Sequence, residues 1–365
     1  MKERVVVAMS GGVDSSVTAA LVKEAGYDVI GMTLKTWPSE LCENDSSKTC
    51  CSVRDVEDAR SVARILDIPF HVVNVEEDFK KNVIDYFIEE YAQGRTPHPC
   101  IQCNDKVKFL ALWRRVKPLG ARYIATGHYA RVGRDSRWGS RYVIKEGVDS
   151  NKDQSYVLFG LSQEQLSYTL FPVGGFTKQQ VRQKARELGL RVFDKADSQE
   201  ICFIPNHDTQ GFLKKALQER QLSGRIVDKQ GNVLGTHSGI FQFTIGQREG
   251  LGINRGKPSY VIKIEPQTQD IVVGDREDCF AAECVAEKVN WQAWEVLAEP
   301  VRVQAKIRYK HPKAAVTVFP LEGNQVRVVF DEPQNAVTQG QAIVFYEEET
   351  VLGGGWILNT VVGCP

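Results

Sequence analysis

The sequence predicts an α/β fold: an N-terminal doubly wound parallel sheet, a small mainly-β central domain and a C-terminal β-barrel. Three observations carry this. Apolar strand segments alternate with amphipathic helical ones as far as about residue 205. That order builds a parallel sheet with its ligand site at the carboxyl ends of the strands. Short β-runs around turns such as Gln230-Gly231-Asn232 follow. From about Cys284 onward the strands become regular and closely spaced, the pattern of a small barrel. Domains are therefore expected at 1–207, 208–278 and 279–365, with linkers near Pro205 to Gly211 and Asp275 to Ala282.

Taken in order, Val5 to Ala8 forms a short apolar strand. Val13, Val17, Ala20 and Leu21 share one helical face, and Gly26 is placed to end that helix. "DVIGMTL" is a second strand. "SVRDVEDARSVARILDI" is a helix with Val53, Val56, Ala59, Ala63 and Leu66 facing inward, and "PFHVVNV" is a third strand. Helices are expected around Phe79 to Tyr91 and Lys106 to Lys117, and "ARYIATGHYA" reads as a strand running into a loop. "VRVQAKIRY", "AAVTVFP", "QVRVVFD" and "QAIVFYEEETVLGGGWI" supply the barrel.

The 46 basic and 46 acidic residues cancel, so the whole chain carries no nucleic-acid signature. A local basic face is enough for binding, so the total does not exclude it. No segment approaches the roughly 18 consecutive apolar residues of a membrane helix. The N-terminus meets charge too early for a secretory signal, which gives a cytoplasmic expectation. Nine cysteines, unevenly placed, are then core, reactive or metal-binding residues rather than a disulfide scaffold. Zero net charge and no evident apolar patch give a monomer as the default.

Ser10-Gly11-Gly12-Val13-Asp14-Ser15-Ser16 sits where a strand meets a helix N-terminus. Orphan amides and the positive end of the helix dipole favour an anion there. The glycines admit a close backbone approach, the serines offer hydroxyls, and Asp14 could cap the helix or hold Mg²⁺. The loop lacks the Gly-Lys-Ser/Thr of a Walker-type γ-phosphate transferase. The string resembles the PP-loop of the ATP pyrophosphatase superfamily. That resemblance implies cleavage of ATP between the α and β phosphates, adenylation of a substrate oxygen, and displacement of AMP by a nucleophile.

Two segments bear on the nucleophile: "GRTPHPCIQCNDKVKF", with Cys100 and Cys103, and "DSQEICFI", with Cys202. Cys103 stands before an expected helix start, with Lys106 and Lys108 near, which lowers a thiol pKa. Three readings are open. The cysteines are inert core residues, or Cys103 and Cys202 are a redox pair that carries sulfur, or Cys100, Cys103 and Cys202 hold a [4Fe-4S] cluster with one open iron site. A zinc site lacks an evident fourth ligand.

"AMSGGVDSSV", "CNDKVKF", "ATGHYA", "KDQSYVLF", "DSQEICFI" and "IGQREGLGI", in this order, resemble the bacterial tRNA-specific 2-thiouridylase family. The resemblance spans nearly the whole chain. It implies ATP-dependent adenylation of the 2-oxygen of the wobble uridine, position 34, in tRNA for Lys, Glu or Gln, with Mg²⁺ accompanying ATP. Cys202 would carry a persulfide from a donor, a cysteine desulfurase or a sulfur-relay protein. Cys103 would be the nucleophile and form a transient disulfide with Cys202.

By motif, Ala8, Met9, Ser10, Gly11, Gly12, Val13, Asp14 and Ser15, with Leu34 and Gly127, would bind ATP. His98, Pro99 and Cys100 would meet the target base; many relatives have Asn-Pro-Asp there, and Cys100 adds a third thiol for the cluster reading. Lys152, Asp153 and Gln154, with Arg308 and Tyr309, would contact tRNA. Lys306, Arg308, Lys310, His311 and Lys313 form a basic strip with an aromatic residue in it, suited to phosphate contact and base stacking. His128 reads as scaffold. The polar segment 36–52 reads as a mobile loop near ATP whose Cys50 and Cys51 are not catalytic. Two competing functions are a small-molecule ligase of the same superfamily, which leaves Cys103, Cys202 and the barrel without a task, and a non-catalytic tRNA-binding protein, which leaves the intact loop without one.

Overall fold

The computed structural model describes residues 2–36, 53–196, 201–218, 220 and 222–361. The segment 37–52 with Cys42, Cys50 and Cys51, the stretch 197–200 and Cys364 lie outside the described residues. Among the described residues, no helix is long and apolar enough to cross a membrane.

The first part of the chain contains β1 (Arg4–Ala8), α1 (Val13–Glu24), β2 (Asp28–Lys35), α2 (Val53–Ile65), β3 (Phe70–Asn74), α3 (Glu76–Phe79), α4 (Asp85–Ala92), α5 (Pro99–Gln102), α6 (Leu112–Val116), β4 (Ala121–Ala125), β5 (Ala130–Asp135), β6 (Arg141–Glu146), α7 (Gln163–Ser167), β7 (Thr169–Leu170) and α8 (Lys178–Glu187). Next come α9 (Thr209–Ala216), β8 (Gly224–Val227), β9 (Val233–His237), β10 (Tyr260–Glu265) and β11 (Asp270–Gly274). The last part is all strand: β12 (Phe280–Trp291), β13 (Val301–Lys306), β14 (Ala314–Leu321), β15 (Gln325–Asn335), β16 (Ala342–Glu347) and β17 (Thr350–Val361).

A parallel sheet with the order β3-β2-β1-β4-β7 forms the first layer system. Val5, Val6 and Val7 of β1 are fully buried. A continuous apolar run of that kind needs helices on both faces of the sheet. The chain changes direction between β1 and β4, so the loops after these two strands border the crevice where such sheets bind ligands. Helix α1 buries Val13, Val17 and Ala20 and gives way at Gly26, with φ +89°. In α2 the inward residues are Ala59, Val62 and Ala63, with Leu66 just beyond. Val53 is exposed instead of inward, because it opens the helix ahead of the turns that meet the sheet.

The helix expected from Lys106 begins earlier, at Pro99. Proline fits the first helical position because its fixed φ suits the turn and the N–H there has no partner to lose. The helix then continues as a π-helix over Cys103–Ala111 and returns to α at Leu112. Cys103 therefore lies one turn inside a continuous helix, and Cys100 occupies its first turn.

The central sheet runs β10-β11-β8-β9. The last sheet runs β12-β15-β14-β13-β16-β17 and closes through β12–β17 pairing, which makes it a barrel without free edges there. A hairpin from the first part of the chain, β5–β6, extends this sheet: Lys145 pairs with Thr350 of β17. Sequence order had not placed this hairpin on the barrel. One apolar cluster correspondingly mixes Phe109, Ile124 and Tyr156 with Val344, Tyr346 and Val351 of the barrel. A second joins Phe79 and Phe87 to Phe203, Leu213, Phe241 and Val261, which fastens the central sheet to the first.

Candidate active site

The loop after β1 is held by its own serines. Ser15 Oγ accepts from the Ser10 amide at 3.1 Å and donates to the Gly12 carbonyl at 3.1 Å. Ser16 Oγ donates to the same carbonyl at 2.8 Å. Gly12 is the N-cap of α1 and contributes no side-chain cap, so the loop presents backbone at the helix start. Gly11 has φ +72°, and a Cβ there would stand 2.2 Å from the Asp55 carbonyl oxygen. Only glycine suits that position on both counts. From the other side of the crevice, Gly127 lies against the first turn of α1, where a Cβ would come within 2.8 Å of the Ser15 amide. Ala8 and Met9 lead into the loop; the Met9 amide donates to Met32 and its carbonyl accepts from Thr33 Oγ1 at 2.7 Å.

Two lysines reach the loop from elsewhere in the chain. Lys178, at the start of α8, places Nζ 2.8 Å from both carboxylate oxygens of Asp14. Tyr129 donates its hydroxyl to Asp14 Oδ1 at 2.7 Å. Lys178 and Tyr129 thus share the Asp14 carboxylate, and α1 carries no side-chain cap. Lys195 donates to the Gly11 carbonyl at 3.0 Å and to Asp55 at 2.7 Å, and also reaches Asp58. Local spacing gave no sign of either lysine, since Asp14 and Lys178 are 164 positions apart. One signal was present: Thr177 and Gln180 form a capping box that puts a cation, Lys178, in the first turn of a helix. The dipole disfavours that arrangement unless an anion compensates.

Leu34, Cys103 and Cys202 all pack against the second apolar cluster. The end of β2 and two distant cysteines thus border the same extended cluster, which joins the first and central sheets. Cys103 and Cys202 are half-buried and Cys100 is exposed. Among the described residues, no three of His, Cys, Asp and Glu gather as metal ligands. Cys100, Cys103 and Cys202 are thus not arranged as a cluster-binding triad. Cys279 and Cys284 are buried barrel residues, and burial pushes their thiols up to about 11 and about 12.

The segments at 98–100, 152–154 and 308–309 converge. The His98 ring lies 5.9 Å from Tyr156 and 6.2 Å from Tyr309, centroid to centroid. Tyr309 donates its hydroxyl to the Asp153 carbonyl at 2.9 Å. Its own hydroxyl pKa is pushed up to about 12, by burial first. The barrel fixes the approach to His98: the Thr96 amide donates to Gln339, and Gln341 Nε2 donates to the Thr96 carbonyl at 2.7 Å. His98 Nδ1 is enclosed without a hydrogen-bond partner, and burial lowers its pKa to about 4. Pro99 is buried.

Not all of the basic strip faces outward. Lys306 pairs with Glu146 at 3.2 Å and Asp153 at 3.5 Å, and Lys313 pairs with Glu146 at 2.9 Å. Both lie over the Tyr346 ring. Arg308 and Lys310 remain exposed. Asp153 turns its carboxylate inward to Gly147 and Ser155, and Gln154 Oε1 accepts from the Tyr129 amide. His128 is buried, its Nδ1 2.7 Å from Thr126 Oγ1, and burial holds its pKa well below the ordinary value. Its ring also packs against Phe109 and Phe171.

Known families match along the whole chain. Residues 3–206 match the family described as the tRNA methyl transferase HUP domain. Residues 210–275 match a tRNA methyl transferase PRC-barrel domain, and residues 281–357 an aminomethyltransferase beta-barrel domain. The tRNA-specific 2-thiouridylase of Clostridium kluyveri is 48% identical over 357 residues, covering 98% of this chain and 99% of that protein. The tRNA-specific 2-thiouridylase of Clostridium acetobutylicum is 48% identical, covering 98% and 100%. That of Clostridioides difficile is 48% identical, covering 98% of each chain. With identity at this level over nearly its full length, the chain belongs to the tRNA-specific 2-thiouridylase family.

Proposed function

We propose that this enzyme is an ATP-dependent tRNA sulfurtransferase that converts the wobble uridine of tRNA to 2-thiouridine. What supports the reading is that Leu34, Cys103 and Cys202 all pack against the apolar cluster joining the first and central sheets, in a chain whose phosphate loop is intact. A methyl transfer, or a small-molecule ligase reaction, gives these two thiols no task.

ATP lies over the loop from Ala8 to Ser15, its adenosine end near Leu34 and Gly127, with Mg²⁺ on its phosphates. The uracil 2-oxygen attacks the α phosphorus and pyrophosphate leaves. Adenylation is needed because a carbonyl oxygen is a poor leaving group. Cys202 carries a terminal persulfide sulfur, supplied by a cysteine desulfurase or relay protein. That sulfur bonds to carbon 2, and AMP leaves with the original oxygen. The Cys103 thiolate attacks the Cys202 sulfur and breaks the sulfur–sulfur bond, which leaves the thiocarbonyl on the base and a Cys103–Cys202 disulfide. An external thiol reductant resets the pair. The base enters against His98, Pro99 and Cys100, while Lys152, Arg308 and Tyr309 hold tRNA for Lys, Glu or Gln. Asp153 and Gln154 support that surface through their inward contacts.

The test is to incubate the protein with ATP, Mg²⁺, a sulfide source and unmodified tRNA, then digest and look for 2-thiouridine. With persulfide as the source, Cys202→Ser should abolish thiolation while ATP binding survives. A Cys202→Ser protein that thiolates normally would remove the persulfide role.

A further inference from the structure

The turn that carries Arg248 sits where all three parts of the chain meet. Thr244, four residues before it, is hydrogen-bonded through its hydroxyl to Thr96, two residues before His98. Gly246 has φ +84°, and a Cβ there would stand 2.7 Å from the Cβ of Ala336, just past β15. The carbonyl of the preceding Asn335 accepts from Arg308 at 3.3 Å. Gln247 stiffens the turn. Its Oε1 accepts from the Thr244 amide at 3.0 Å, its Nε2 donates to the Glu249 carbonyl at 2.9 Å, and its carbonyl accepts from the Val261 amide of β10.

The charges around this turn are divided unevenly. Between residues 224 and 274, Arg225 pairs with Asp270, Lys229 with Asp278, Arg255 and Lys257 with Asp275, and Lys263 with Glu265. Arg248 is exposed, and among the described residues no carboxylate pairs with it, although Glu249 is its neighbour. On the barrel, Arg308 and Lys310 are likewise exposed while Lys306 and Lys313 are drawn inward. The surface beside Arg248 is also bare: a Cβ at Gly252 would meet nothing within 4 Å. Resting on the reading of this enzyme as one that acts on tRNA, we infer that Arg248 is a tRNA-phosphate contact, and that the central sheet shares the RNA-binding face with the barrel. Arg248 follows Gly246 by two residues, about 7 Å of chain at most, so it stands close to the contact that leads through Ala336 and Asn335 to Arg308. A guanidinium held ready and unpaired gains a bidentate bond when phosphate arrives, with release of counterions from the RNA. Tyr309, adjacent to Arg308, gives the same face an aromatic ring, which suits RNA better than an acidic protein surface.

The test measures binding of unmodified tRNA for Lys by the full-length protein, between about 50 and 200 mM salt. Arg248 is exposed, so its variants should melt with wild type. Arg248→Ala should lower affinity by about threefold or more and reduce the slope of log affinity against log salt by about one. Arg248→Lys should keep the slope, because the positive charge remains. Lys257→Ala removes a cation of the same sheet that Asp275 already holds, and should leave the slope unchanged. An Arg248→Ala protein with wild-type affinity and slope overturns the inference. It does so even if binding of a persulfide-donor protein is weakened, which would assign the arginine to that partner. An equal loss of slope in Lys257→Ala would also overturn it, since the effect would then be one of total charge. If Arg248→Ala loses the slope but wild type forms no 2-thiouridine, the contact is upheld and the reaction proposed above is overturned.

Discussion

Gly11 and Gly12 are adjacent and look equivalent in sequence, yet the structure gives them different tasks. Gly11 has a left-handed φ, which costs a residue with a Cβ about 1–2 kcal/mol. The added carbon would also stand 2.2 Å from the Asp55 carbonyl oxygen, a backbone atom without rotameric freedom. Overpacking of that kind costs a further 1–3 kcal/mol or so. Gly11→Ala should therefore destabilise the protein by about 2–5 kcal/mol, or about 5–15 °C in melting temperature for a domain of this size. Gly12 has φ −92° and ψ 164°, open to any residue. A Cβ there meets only Ser10 Oγ, at 3.5 Å. The cap cost of alanine and its smaller unfolded-state entropy roughly cancel, so Gly12→Ala should shift stability by less than about 1 kcal/mol. Its methyl would still occupy the helix start where phosphate must approach, and ATP affinity should fall by about tenfold or more. Thermal unfolding and ATP titration on both variants separate the effects. A Gly11→Ala protein as stable as wild type, or a Gly12→Ala protein with unchanged ATP affinity, would refute this division.

Three more outcomes follow from the barrel face and its neighbour. Arg308→Ala should weaken tRNA binding and reduce the slope of log affinity against log salt by about one. Lys306→Ala should instead lower stability by about 2 kcal/mol, because it strips a partner from the buried Asp153 carboxylate; a salt slope that changes with Lys306 rather than Arg308 would reverse the assignment. Burial holds His98 near 4, below the ordinary value near 6.5. The unfolded chain then takes up a proton first, so stability falls as pH drops from about 6.5 towards 4. Between pH 7 and pH 5, His98→Asn should lose less melting temperature than wild type, and an equal loss would exclude His98 as a source of the dependence.

Much of the site was legible in sequence because it is local. Ser10 to Ser16 fold as strand, loop and helix from their own spacing, and their hydrogen bonds run within the loop. The missing lysine indicated adenylation over γ-phosphate transfer, and the motifs around Cys103 and Cys202 named the acceptor. The helix start at Pro99 was also readable, from proline's preference for that position, but the charged run after Cys103 drew the boundary too late.

The tertiary structure decided the rest, for a physical reason common to each case. Lys178 and Lys195 act on the loop through space, across separations that no local period encodes. The β5–β6 hairpin finds its partner in β17, since an exposed strand edge pairs with whichever edge the packing presents. Lys306 and Lys313 look in sequence like phosphate ligands beside Arg308, yet Glu146 and Asp153 lie opposite and take them inward. The sequence by itself determined the local form of the loop and the family to which the chain belongs. Which charges remain available to a ligand, and that Leu34, Cys103 and Cys202 border one apolar cluster, depended on packing, because it is packing that brings side chains distant in sequence onto a common core.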